Sequence, residues 1–198
     1  MARRAGSRLS ASDALLFQGA IGVAGLALIL LFSIPVQLDG LGWPRVLLWS
    51  CLGAAGTYGL LLLLSLIPGL FPEDLGKQMA DLYDFASGFS WPVLLALSVL
   101  AGAGEELLFR GAIQGWVSGV AGVSTGIAVS AVLFGLVHWV SFTYFLVATG
   151  LGIVFGTAYA LSGSLVLVMV WHAVYDLIAI FCLLRFPHWF GLPPRPVS

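Results

Sequence analysis

Apolar windows of about 20 residues recur along the chain, near 14–34, 46–67, 92–117, 124–142, 143–161 and 164–184. At 1.5 Å per helical residue, each can cross the ~30 Å hydrocarbon core of a bilayer. The pattern predicts an all-α, polytopic membrane protein, a bundle of about six transmembrane helices. The turns between the last three windows are very short, and Ser162-Gly163-Ser164 suits a tight one. A single long polar stretch, 69–90, interrupts the pattern. Within it, Pro72 followed by Glu73 and Asp74 suits a helix start, since proline needs no donor there and acids favour the positive end. Leu75, Met79, Leu82 and Ala86 recur at helical spacing, while Asp74, Lys77, Asp81 and Asp84 face elsewhere. A short amphipathic helix on the membrane surface is expected, acting either as a solvated connector or as a gate for substrate.

Composition agrees with the pattern. Of 198 residues 60% are hydrophobic, mean hydropathy is +1.06, and only 9% are charged, against roughly a quarter in soluble domains. The length suits a single transmembrane domain over 1–198. A net charge of -1 offers no basic surface for nucleic acid. Cys51 and Cys182 both fall in apolar runs and suggest no disulfide framework. The first apolar run follows Arg3, Arg4 and Arg8; it is longer than a signal-peptide core and is expected to stay as the first helix. With Arg185 and Arg195 at the other end, the positive-inside rule puts both tails in the cytoplasm. Trp43, Trp91, Trp116 and Trp189 sit near predicted helix ends, as an interfacial belt requires. Trp139 and Trp171 each adjoin a histidine, where they either pack or wall a polar site.

Ionisable groups within a bilayer are costly and mark function. Six fall inside predicted spans: Glu105, Glu106, Arg110, His138, His172 and Asp176, on three different helices. Asp13 lies at a membrane edge, and His188 lies past the last span, at the interface. Glu106 and Arg110, four apart, share a face and can neutralise each other. Glu105 is turned about 100° away and has no partner on its own helix. Such a carboxylate suits proton exchange with water, as a general base must. Gly102, Ala103 and Gly104 before it admit close approach of another backbone. His172 and Asp176, again four apart, share a face, so Asp176 can orient the imidazole. Two imidazoles and a free carboxylate supply a base for water and donors for an oxyanion, the needs of amide hydrolysis. Proton or ion transport would use similar residues. Straight helices leave His138 about 7 Å nearer the cytoplasm than Glu105, and His172 about 3 Å on its other side. Tilt, or a break after Arg110, is expected to bring them together.

Glu105-Glu106-Leu107-Leu108-Phe109-Arg110 fits E-E-x-x-x-R, Phe134 to His138 fits F-x-x-x-H, and His172 to Asp176 fits H-x-x-x-(N/D). In this order the three resemble the CPBP family of type II CAAX prenyl endopeptidases and bacterial relatives, over residues 90–184. The resemblance implies that Glu105 activates water with help from His138, that His172 and Asp176 stabilise the oxyanion, and that Glu106 and Arg110 hold the site's shape. The family position of Asp176 is often asparagine. An ionised aspartate cannot donate a hydrogen bond, so orienting His172 is the role expected for Asp176.

The expected activity is intramembrane endopeptidase cleavage of a membrane-associated protein or peptide near its terminus. A bacterial cytoplasmic membrane is the expected location, with the lipid bilayer and a peptide substrate as partners. No cofactor is expected. The alternatives are a zinc enzyme with Glu105, His138 and His172 as ligands, and a non-catalytic membrane binding or immunity protein. A small carrier would show internal repeats, and none is evident.

Overall fold

The computed structural model describes residues 10–71 and 76–192. Among the described residues eight α-helices follow one another: α1 (Ala11–Leu31), α2 (Trp43–Ser65), α3 (Gly76–Ala86), α4 (Trp91–Glu106), α5 (Gly115–Ala121), α6 (Val123–Val137), α7 (Phe142–Ser162) and α8 (Leu165–Arg185). A π-helical segment, Leu107–Gln114, joins α4 to α5, and a 3₁₀ turn, Pro187–Phe190, ends the described chain. The all-α polytopic class is as expected. Five helices are long and apolar enough to cross a bilayer, one of them the continuous 31-residue run Trp91–Ala121. The fourth window, 124–142, is shorter than predicted. It ends at Val137 rather than 142, and its 15 residues span only about 22 Å.

Glycine decides how closely the helices meet. α1 runs alongside α4 in the same direction, with Gly22 against Gly104 and Gly25 against Leu108. A methyl group on Gly25 would lie 2.6 Å from the backbone nitrogen of Leu108, so only glycine fits. α8 crosses α4 in the opposite direction: Gly102 faces Met169 and Ala173, and Trp91 meets Phe181. The close approaches expected around Gly102-Ala103-Gly104 are therefore two, one on each side of α4. α6 and α7 are antiparallel, with Gly152 against Ala131 and Gly135 against Phe145. α2 runs with α8, joined by Ser50 Oγ donating to the Leu167 carbonyl at 2.9 Å and by a Tyr58–Tyr175 edge contact.

The turn at Ser162-Gly163-Ser164 forms as expected. Gly163 takes the left-handed conformation (φ 60°), and the Ser164 side chain caps α8 by accepting from Leu167 N. The α1–α2 loop braces it: Leu165 N and Val166 N, two donors with no partner inside the helix, bond the carbonyls of Gln37 and Leu38 at 2.9 and 3.1 Å.

α3 is amphipathic. Lys77, Asp81 and Asp84 are exposed and Tyr83 and Ala86 are buried. The helix start predicted at Pro72, Glu73 and Asp74, together with Leu75, lies outside the described residues, as do Arg3, Arg4, Arg8 and Arg195.

Candidate active site

The six ionisable residues meet where α4, the π-segment, the end of α6 and α8 converge. The helix is not broken after Arg110. It widens immediately after Glu106 into the π-segment, which shifts the phase of every later side chain relative to α4. Arg110 and Gln114, four apart, then face two α7 carbonyls that are also four apart. Arg110 Nη2 donates to Gly152 O at 3.1 Å and Gln114 Nε2 to Gly156 O at 3.0 Å. Ser130 Oγ donates to the Phe109 carbonyl at 2.7 Å, tying α6 to the same segment.

Glu106 and Arg110 are fully buried and paired at 2.9 Å. The guanidinium lies 4.6 Å from the Phe134 ring centroid and 5.5 Å from that of Phe155, in cation–π range. The same Glu106 Oε1 accepts from His172 Nδ1 at 2.8 Å. Phe155 stacks on the His172 ring, with centroids 5.2 Å apart. Glu106 and Phe155 thus fix the imidazole, and its Nε2 is left facing the interior space. Asp176, expected to orient His172, makes no hydrogen bond to it. Its Oδ2 stands 3.8 Å from His172 Nε2, beyond hydrogen-bond reach.

Glu105 has a partner that its own helix could not reveal. Gln18 of α1 donates from Nε2 to Glu105 Oε1 at 2.6 Å. The other oxygen, Oε2, is buried without a hydrogen bond. It lies 3.6 Å from His138 Nε2 and 3.9 Å from His172 Nε2. His138 terminates α6, and its Nδ1 is 2.8 Å from the Phe134 carbonyl. A carbonyl only accepts, so Nδ1 carries the hydrogen, and Nε2 of the neutral ring is an acceptor aimed toward Glu105. Gaps of this size are too long for direct bonds, but one water oxygen can lie about 2.8 Å from both Glu105 Oε2 and His138 Nε2.

Glu105, His138, His172 and Asp176 all line a cavity of about 690 Å³. Its lining also includes Tyr58, Tyr144 and Tyr175 and the apolar side chains of Leu61, Met79, Leu82 and Leu183. Neither Trp139 nor Trp171 lines it. Trp139 is exposed, and Trp171 packs on Phe155 and donates to Thr57 Oγ1 at 3.3 Å. The aromatic part of its lining is tyrosines, phenylalanines and Trp189 instead.

Among the described residues, no group of three His, Cys, Asp or Glu side chains is arranged to hold a metal ion. Zinc bonds of 2.0–2.2 Å at tetrahedral angles bring ligand atoms to about 3.3 Å from each other. The separations of 3.6 and 3.9 Å leave Glu105, His138 and His172 more open than that.

No curated protein and no solved structure matches the chain. Residues 87–178 match the family model of Rce1-like type II CAAX prenyl endopeptidases. The matched segment starts before α4 and ends after Asp176, so it holds the three motifs and leaves out α1 with Gln18. That segment is a little under half of the chain, and through it the protein is similar to the CPBP family of CAAX-type peptidases.

Proposed function

We propose that the protein is a glutamate-type intramembrane endopeptidase that cuts a membrane-associated protein or peptide near one end. The observation that carries this is the unbonded Glu105 Oε2, held against the Nε2 atoms of His138 and His172 in the lining of a cavity. In this reading water donates one hydrogen to Glu105 Oε2 and the other to His138 Nε2, which leaves a lone pair directed at the scissile carbonyl. As the C–O bond forms, Glu105 takes the water proton. His172, in its imidazolium form, donates from Nε2 to the developing oxyanion. Collapse of the tetrahedral intermediate breaks the C–N bond, and the proton on Glu105 passes to the leaving amine. One product keeps a new carboxylate and the other a new amino group.

Gln18 supports this scheme from behind. Its amide fixes the rotamer that sends Oε2 toward the histidines. Glu106 and Arg110 hold His172 and the π-segment, and no substrate need touch them. No step is routed through a metal. Metal analysis of the purified protein, with the effect of chelators on cleavage, distinguishes this scheme from a zinc enzyme using Glu105, His138 and His172. The setting we propose is a bacterial cytoplasmic membrane with both termini in the cytoplasm.

The test is cleavage. Membrane peptides would be compared between cells carrying wild type and cells carrying Glu105→Gln. The proposal expects products that vanish in the variant. Products identical in both would favour a non-catalytic binding or immunity protein.

A further inference from the structure

The cavity carries a charge balance that the hydrolytic step does not use. Among the described residues its charged lining is two carboxylates, Glu105 and Asp176, and two imidazoles, His138 and His172, with no lysine or arginine. Arg110 lies beneath it, sealed against Glu106 and fully buried. Asp176 is the more exposed of the two carboxylates. Its side chain is 28% accessible, opens into the cavity, and comes no closer than 3.8 Å to His172 Nε2.

Three phenol rings line the same wall. Tyr175 is next to Asp176 in the chain and meets Tyr58 of α2 edge-on, with centroids 6.0 Å apart. Tyr144, from the first turn of α7, lines the space as well. Asp176, Tyr144 and Tyr175 all line this one cavity. An acid flanked by aromatic rings in a partly desolvated space suits an ammonium or guanidinium group: the carboxylate supplies the countercharge and ring faces attract the cation. A ligand carboxylate would meet two like charges there, with only the imidazoles to offset them.

We propose that Asp176, with Tyr58, Tyr144 and Tyr175, forms a subsite for a basic side chain of the substrate, a lysine or arginine beside the bond to be cut. The subsite rests on the peptidase reading for its purpose and on the cavity for its chemistry. It selects apolar segments that carry a basic residue, and it disfavours a free carboxylate at the same place.

Binding tests it without turnover. The probes are three fluorescent apolar peptides, identical except for one lysine, leucine or glutamate, offered to purified Glu105→Gln protein in a neutral detergent. Fluorescence anisotropy is expected to show the lysine peptide bound about tenfold tighter than the leucine peptide, with the glutamate peptide weakest. Adding Asp176→Asn, with folding checked by thermal unfolding, is expected to bring the lysine and leucine peptides within about twofold, since the countercharge is gone. Equal binding of the lysine and glutamate peptides, absence of binding by all three, or a lysine preference that survives Asp176→Asn would each overturn the subsite. A lysine preference that holds while wild type and Glu105→Gln release the same peptides in cells would sink the peptidase reading and leave the subsite standing.

Discussion

Glu105 and Glu106 are neighbours in the chain, and they belong to two regions with opposite character. Glu106 faces a sealed layer between the π-segment, α7 and α8. There it pairs with Arg110 and receives His172, and neither Glu106 nor Arg110 lines the cavity. Glu105 faces the cavity, with one oxygen held by Gln18 and the other unbonded. A missing hydrogen bond does not by itself separate them, because Glu106 Oε2 and Arg110 Nε also lack partners. Access does. An unsatisfied atom locked between helices stores electrostatic cost, whereas one on a cavity wall is available to water and substrate. The sealed region is therefore expected to govern stability and the open one chemistry.

Glu105→Gln should break the open side most severely. It keeps the size of the side chain but removes the base, so turnover is expected to fall by about 10²- to 10⁴-fold. Thermal unfolding in detergent should be nearly unchanged. A large drop in melting temperature would show that Glu105 is as structural as Glu106, and the contrast would fail.

Arg110→Met probes the sealed side. It strands a fully buried carboxylate, and the expected loss is about 3–5 kcal/mol of stability. Arg110→Met combined with Glu106→Gln should recover part of it, as a double-mutant cycle in thermal unfolding would read. A stable, inactive single variant would instead move Arg110 into the chemistry.

Gln18→Leu sharpens the boundary between the regions, since the Gln18 side chain hydrogen-bonds Glu105. Turnover should fall about tenfold while KM stays near its wild-type value, the loss of one hydrogen bond to a charged group. An altered KM with unchanged turnover would place Gln18 in substrate binding.

The smallest effect is a matched pair of substitutions on α1. Gly25→Ala pushes a methyl group into the α4–π-segment backbone and should cost about 1–3 kcal/mol. Gly19→Ala meets nothing within 4 Å and should leave stability unchanged. Equal melting temperatures for the two variants would show that α1 docks less closely than the structure has it.

Much of this architecture is legible in the order of residues, because a bilayer punishes polar groups so heavily. The all-α polytopic class, the tight turn at Gly163 and the six ionisable residues follow from composition and spacing alone. The i,i+4 spacing also predicts the Glu106–Arg110 pair, since a helix brings those side chains together whatever surrounds it. The predicted end of α6 runs past His138 because Trp139 and Val140 continue the apolar run. Hydropathy cannot distinguish a lipid-facing turn from a helix, and here the chain leaves the helix at His138.

The rest is tertiary. Gln18 lies 87 positions from Glu105 in an apolar run with no motif around it. Only the glycine-lined docking of α1 on α4 brings its amide to the carboxylate. Asp176 has helical spacing to His172, yet Glu106 already holds the far side of that ring and the cavity opens beside Asp176. The π-segment, too, has no local signature; it shows only in how Arg110 and Gln114 find the carbonyls of α7. Periodicity reports which residues share a face of one helix. Which face meets which neighbour depends on packing between distant segments, and that packing separates the base from the ion pair beside it.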